Sequence, residues 1–112
     1  MATVALEKPE VEDFPRAKVI AALTAELIEC ARAEALVRGI ALPPEAPKIV
    51  RAAVPMDSLS VVDTLCAVEP VVCFELRESM VRTGGYASIE EALEHLVPKI
   101  ERMWIRKKGP KP

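Results

Sequence analysis

At 112 residues the chain is about one domain long, which leaves no room for a second independent core. Hydrophobic residues make up 51% of it but only four are aromatic, so the core is expected to consist of Leu, Val, Ile and Ala, as in small helical bundles. The net charge of −2 is unevenly spread: residues 57–101 carry nine acids against Arg77, Arg82 and Lys99, whereas the last eleven residues carry Arg102, Arg106, Lys107, Lys108 and Lys111 and no acid.

Residues 1–13 mix charges with Pro9 and show no sustained apolar period, which predicts a flexible leader. Glu7, Lys8, Glu10, Glu12 and Asp13 do not follow the basic-then-apolar order of a signal peptide, so a cytoplasmic protein is expected. The domain proper is expected over 14–104. Asp13 is the predicted cap and Pro15 a first-turn residue of an amphipathic helix with Val19, Ile20, Leu23, Leu27, Ile28 and Ala31 on its apolar stripe, closed by Gly39.

Between Ile40 and Met56, Pro43, Pro44, Pro47 and Pro55 exclude a continuous helix. A long connection is expected there, with Ile49, Val50 and Val54 pinning it across the core. A second helix begins at Asp57 and Ser58, with Leu59, Val62, Leu65 and Cys66 assigned to its inner face and Asp63 pointing away. Pro70 should stop or kink it by Glu69. Val71 to Leu76 is read as irregular or helical, and Glu78 to Arg82 as a short helical turn broken by Gly84 and Gly85.

The last helix starts with Ser88 as cap and Glu91 at the capping-box position, and its stripe is Ile89, Ala92, Leu93, Leu96 and Val97. Pro98 is expected to interrupt or kink it before Ile100 and Trp104, and residues 105–112 to form a flexible basic tail. Trp104 with Arg106, Lys107 and Lys108 could touch a membrane or nucleic acid, but a solvated, fraying terminus is preferred, and neither nucleic acid nor stable membrane insertion is expected. No run of ~18 apolar residues supports a spanning helix.

The stretch Asp57-Ser58-Leu59-Ser60-Val61-Val62-Asp63-Thr64-Leu65, following a proline-rich loop and opening an apolar helix, resembles the acyl carrier protein family. The order of elements over residues 15–101 is similar too, which implies an all-α, four-helix-type bundle with a long loop between its first two helices. The resemblance implies that Ser58 carries a covalent 4'-phosphopantetheine, attached by a phosphopantetheinyl transferase that uses coenzyme A with help from Asp57. It further implies a carrier of acyl intermediates, as in fatty acid or polyketide biosynthesis, that serves acyl-transferring or acyl-processing enzymes and has no reaction of its own.

The residues themselves agree with that role. A serine at a helix N-terminus projects into solvent, and an anion there meets unpaired N–H groups and the positive dipole end. Leu59 is expected to anchor the helix start from within, while Val61, Asp63 and Thr64, with Leu59 and Val62 beside them, are the candidates for partner recognition. Asp-Ser is also what an ordinary helix start looks like, so a non-enzymatic helical interaction module without the arm stands as the alternative.

Other chemistry is weakly supported. The three cysteines, Cys30, Cys66 and Cys73, are odd in number and form no C-x-x-C pair, arguing against a disulfide framework and a zinc site. Apolar neighbours place Cys66 and Cys73 in the core, which leaves a thiol enzyme as a minor reading. His95, the single histidine, is expected to be packed or solvated rather than part of a relay or a metal cluster.

Overall fold

Val19, Leu23, Leu27, Ala31 and Ala35 recur every fourth residue, and all five are buried along one side of α1 (Arg16–Arg38). Gly39 ends that helix in the left-handed conformation at φ 71°, and the amides of Gly39 and Ile40 both return to the Ala35 carbonyl. The computed structural model describes residues 14–108. The leader, with the Asp13 cap expected there, and residues 109–112 of the tail lie outside the described residues.

No continuous helix spans the connection after α1, as the prolines require, but the connection contains a short helix that was not expected, α2 (Ala46–Arg51). Pro47 stands in its first turn, where a missing N–H breaks no helical bond, while Pro43, Pro44 and Pro55 lie outside it. Ile49 of this helix and Val54 after it are buried and Val50 is half-buried, so the segment does cross the core as expected.

The expected second helix is α3 (Ser58–Val72), and it runs past Glu69 with Pro70 inside it. The last helix, α4 (Ile89–Lys108), likewise continues through Pro98. Both departures have one cause. Pro70 and Pro98 are exposed, as are Cys66 and Glu94 four residues earlier, so the carbonyl that each proline strips of its partner lies on a face open to solvent, where water can replace the lost N–H. Trp104 is buried rather than solvated, and residues 105–108 of the expected flexible tail are helical.

Between α3 and α4 the chain makes a turn at Cys73, whose φ of 66° is left-handed, and then the expected helical turn as a 3₁₀ segment at Glu78–Met80. Ser88 caps α4 by accepting the Glu91 N–H at 3.1 Å, and Glu91 accepts the Ala87 N–H at 2.7 Å. That amide holds the Glu91 carboxyl below its usual pKa.

The described architecture is therefore all-α, with four helices and no strand among the described residues. Helix α1 is the common partner, packed against α2, α3 and α4. It runs antiparallel to α4, since Arg16 pairs with Glu101 and the Phe14 ring meets the Trp104 ring edge-on at 5.9 Å. Phe74, tilted against Trp104 at 6.5 Å, closes the same end. No described helix is long and apolar enough to cross a membrane.

Candidate functional site

Ser58 is the first residue of α3, and two features fix it there. Asp57, in extended conformation, caps the helix by accepting the Ser60 N–H on Oδ1 at 2.8 Å, while its own carbonyl accepts the Val61 N–H at 3.2 Å. One residue earlier, Met56 and Tyr86 exchange both backbone hydrogen bonds at 2.9 Å in an isolated antiparallel bridge. The bridge ties the approach to α3 to the approach to α4.

Gly85 is what allows the two segments to meet. A Cβ built at its position would stand 1.9 Å from the Met56 carbonyl oxygen, and its φ of 83° is itself left-handed. Gly84 and Gly85 read in the sequence only as helix breakers; their pairing with Met56 is a long-range relation that no local pattern encodes.

The Ser58 side chain is half-buried, and its hydroxyl makes no hydrogen bond within the described protein. The Asp57 carboxyl is held below its usual pKa by the Ser60 amide first, with smaller help from the Leu59 amide and Arg38. The N-terminal amides of α3 are thus already engaged by a carboxylate. The expected reserve of free N–H groups for a second anion is correspondingly smaller.

Leu59 does not turn inward. It is 77% exposed, because the buried face of α3 is Val61, Thr64, Leu65, Val68 and Val72, and a residue two positions before Val61 falls on the opposite side. The exposed row of α3 is instead Leu59, Asp63, Cys66 and Pro70, with Val62 half-buried beside it. Val61 and Thr64, expected on the surface, are buried and cannot present side chains to a partner. Thr64 turns its hydroxyl back to the Val61 carbonyl at 2.6 Å.

The cysteines also differ from expectation. Cys66 and Cys73 are exposed, Cys30 is intermediate, and all three are free thiols. Burial, then the Glu34 charge, pushes the Cys30 thiol up, which disfavours its thiolate. It lies in a shallow groove of about 290 Å³ between α1 and α3, where Glu26, Glu29, Glu34 and Asp63 give an acidic lining next to Ser60. No group of three or more His, Cys, Asp or Glu side chains suited to a metal occurs among the described residues.

One residue of α1 acts on the Ser58 end and was not singled out as part of a site in the sequence: Arg38, bonded to Glu34 at 3.0 Å, reaches the field of Asp57. In the same last turn of α1, Leu36 and Val37 are each 84% exposed. The signal was present in the apolar pair Leu36-Val37, which continues past the buried stripe ending at Ala35. No family model, no curated protein and no solved structure matches the chain.

Proposed function

We propose that this chain is a carrier domain whose Ser58 hydroxyl is the attachment point for 4'-phosphopantetheine. The observation that carries this reading is a half-exposed serine hydroxyl, free of protein hydrogen bonds, on the first residue of a firmly capped helix. When bound, such an arm supplies a terminal thiol that holds an acyl group as a thioester, and the tether raises its effective concentration at each partner enzyme.

The chain's own residues suit that task in space. Asp57 and the Met56 to Tyr86 bridge hold the serine on a defined edge, and the free hydroxyl can join a phosphodiester without breaking an existing bond. Exposed Leu59 and Asp63 are the recognition residues on α3 that remain available to a transferase and to acyl-processing enzymes, with half-buried Val62 at their flank. Arg38 is the cation at this end that offsets the charge of Asp57 beside a phosphodiester.

A second reading, a helical interaction module with no arm, is favoured by the Asp57 carboxylate, which is engaged as an ordinary helix cap. One experiment separates the two. Incubation of the folded chain with coenzyme A and a broad-specificity phosphopantetheinyl transferase should add a single phosphopantetheine, mapped to Ser58 by peptide mass and abolished in Ser58→Ala. An unchanged mass with several transferases selects the interaction module.

A further inference from the structure

The far half of α4 carries a larger groove of about 530 Å³, formed with the 3₁₀ turn and lined by Arg77, Lys99, Arg102, Arg106 and Lys107. It is remote from Ser58: Lys99 lies ten residues into α4, ~15 Å of helical rise beyond the end that the Met56 to Tyr86 bridge secures.

Outside the groove, Arg16, Arg32, Arg38, Lys48 and Arg82 each hold a carboxylate, while Lys18 and Arg51, far apart in sequence, hold none among the described residues. The groove differs in gathering five cations without a carboxylate partner among the described residues into one place, and Glu75, the one acid in its lining, lies beyond ion-pair distance of them. Lys99 donates to the Met80 carbonyl at 3.2 Å and Lys107 stands 5.7 Å from the Phe74 ring centre, contacts that position both without neutralising them. Lys99, Arg102 and Arg106 follow one another at spacings of three and four on a single face of α4, where like charges repel. A bound anion relieves that repulsion.

We infer that this groove binds a compact polyanion, a phosphorylated small molecule with two or more phosphate groups. Three arginines offer forks that match phosphate oxygens in pairs, and two lysines add point charges. Met80 and Met103 supply an apolar wall for the organic part of such a ligand. The volume lies within the range of ~300–1,000 Å³ for small-molecule sites.

Calorimetric titration of the full chain with sodium tripolyphosphate tests this, with inorganic phosphate as the singly phosphorylated control and a 20-nucleotide single strand as the polymer control. One tripolyphosphate should bind per chain, roughly tenfold or more tighter than phosphate, and should weaken as salt is raised. Amide NMR shifts should cluster at residues 77–80 and 99–107. The double variant Arg77→Gln, Arg102→Gln should lose roughly tenfold in affinity, since both side chains are exposed and their removal leaves the core intact. Arg106→Gln serves in its place should the double variant not fold. Absence of saturable binding, affinity unchanged in the variant, shifts centred outside the groove, or tighter binding of the 20-nucleotide strand than of tripolyphosphate each overturns the inference.

Discussion

The Tyr86 hydroxyl lies 2.7 Å from His95 Nδ1 and also accepts the Arg82 N–H at 3.0 Å. With Arg82 donating to the hydroxyl oxygen, the tyrosine proton is free to point at Nδ1, an arrangement that suits a neutral His95 with its proton on Nε2. Desolvation first, then the charges of Lys99, Arg82 and Arg102, hold the His95 pKa below its ordinary value of 6.5.

The sign of the pH dependence follows. The unfolded chain binds the proton more readily than the folded one, so His95 adds stability at neutral pH that is withdrawn as pH falls below 6.5 through the folded value. As the chain has one histidine, its NMR titration is unambiguous, and a midpoint at or above 6.5 refutes this. Tyr86→Phe, which strands the Arg82 amide, should cost about 1 kcal/mol in denaturant unfolding.

Two leucines of α3 should behave oppositely. Leu65 is buried, and Leu65→Ala should cost ~2–5 kcal/mol by leaving a cavity. Leu59→Ala should change stability by less than ~0.5 kcal/mol, as its side chain is exposed. Under the carrier reading, the same Leu59 variant should slow arm loading or partner turnover. Comparable destabilisation by both would mean that α3 is rotated from the orientation described.

The Met56 to Tyr86 bridge predicts that Gly85→Ala is far worse than Gly84→Ala. Both glycines have positive φ, but only at Gly85 does the added carbon collide with backbone. Thermal unfolding of the pair reads the difference directly; equal losses would show that the φ angle alone matters.

Cys73 should prefer to be glycine. It is the only non-glycine residue with positive φ among those described, and Cys73→Gly should stabilise by about 0.5–1 kcal/mol through relief of that conformation. In the native fold a polar thiol reagent should label Cys66 and Cys73 quickly and Cys30 slowly, with all three equal after unfolding.

Trp104→Ala should cost ~3–5 kcal/mol, since Trp104 is buried against Phe14 and Phe74. Truncation before residue 104 should be at least as damaging. Retention of full stability by either variant would restore the solvated terminus that the basic composition suggests.

Much of the fold is legible from local pattern. The stripe of α1, the Gly39 stop and the Ser88 and Glu91 start of α4 are encoded within a few residues, and each is found where the spacing places it. The errors arose where two local patterns compete. In α3, Leu59, Val62 and Cys66 form one apolar row and Val61, Leu65, Val68 and Val72 another; the second is longer and reaches the helix end, and it is the one buried. The prolines misled in the same way, because the cost of Pro70 and Pro98 depends on whether the freed carbonyl meets water, and that is a property of the packed face. Ser58 at a helix start was readable from Asp57-Ser58; the Tyr86 strut beneath it was not, because Tyr86 pairs with Met56 across thirty residues of sequence.

That separation has a consequence during synthesis. As the chain leaves the ribosome from its N-terminus, Ser58 emerges well before Tyr86, and until Tyr86 follows, Met56 has no partner to anchor the entry to α3. Under the carrier reading, a transferase that reads the shape around Ser58 would meet its target only on chains completed past the start of α4, and truncated products, however well they form α1, would not present it.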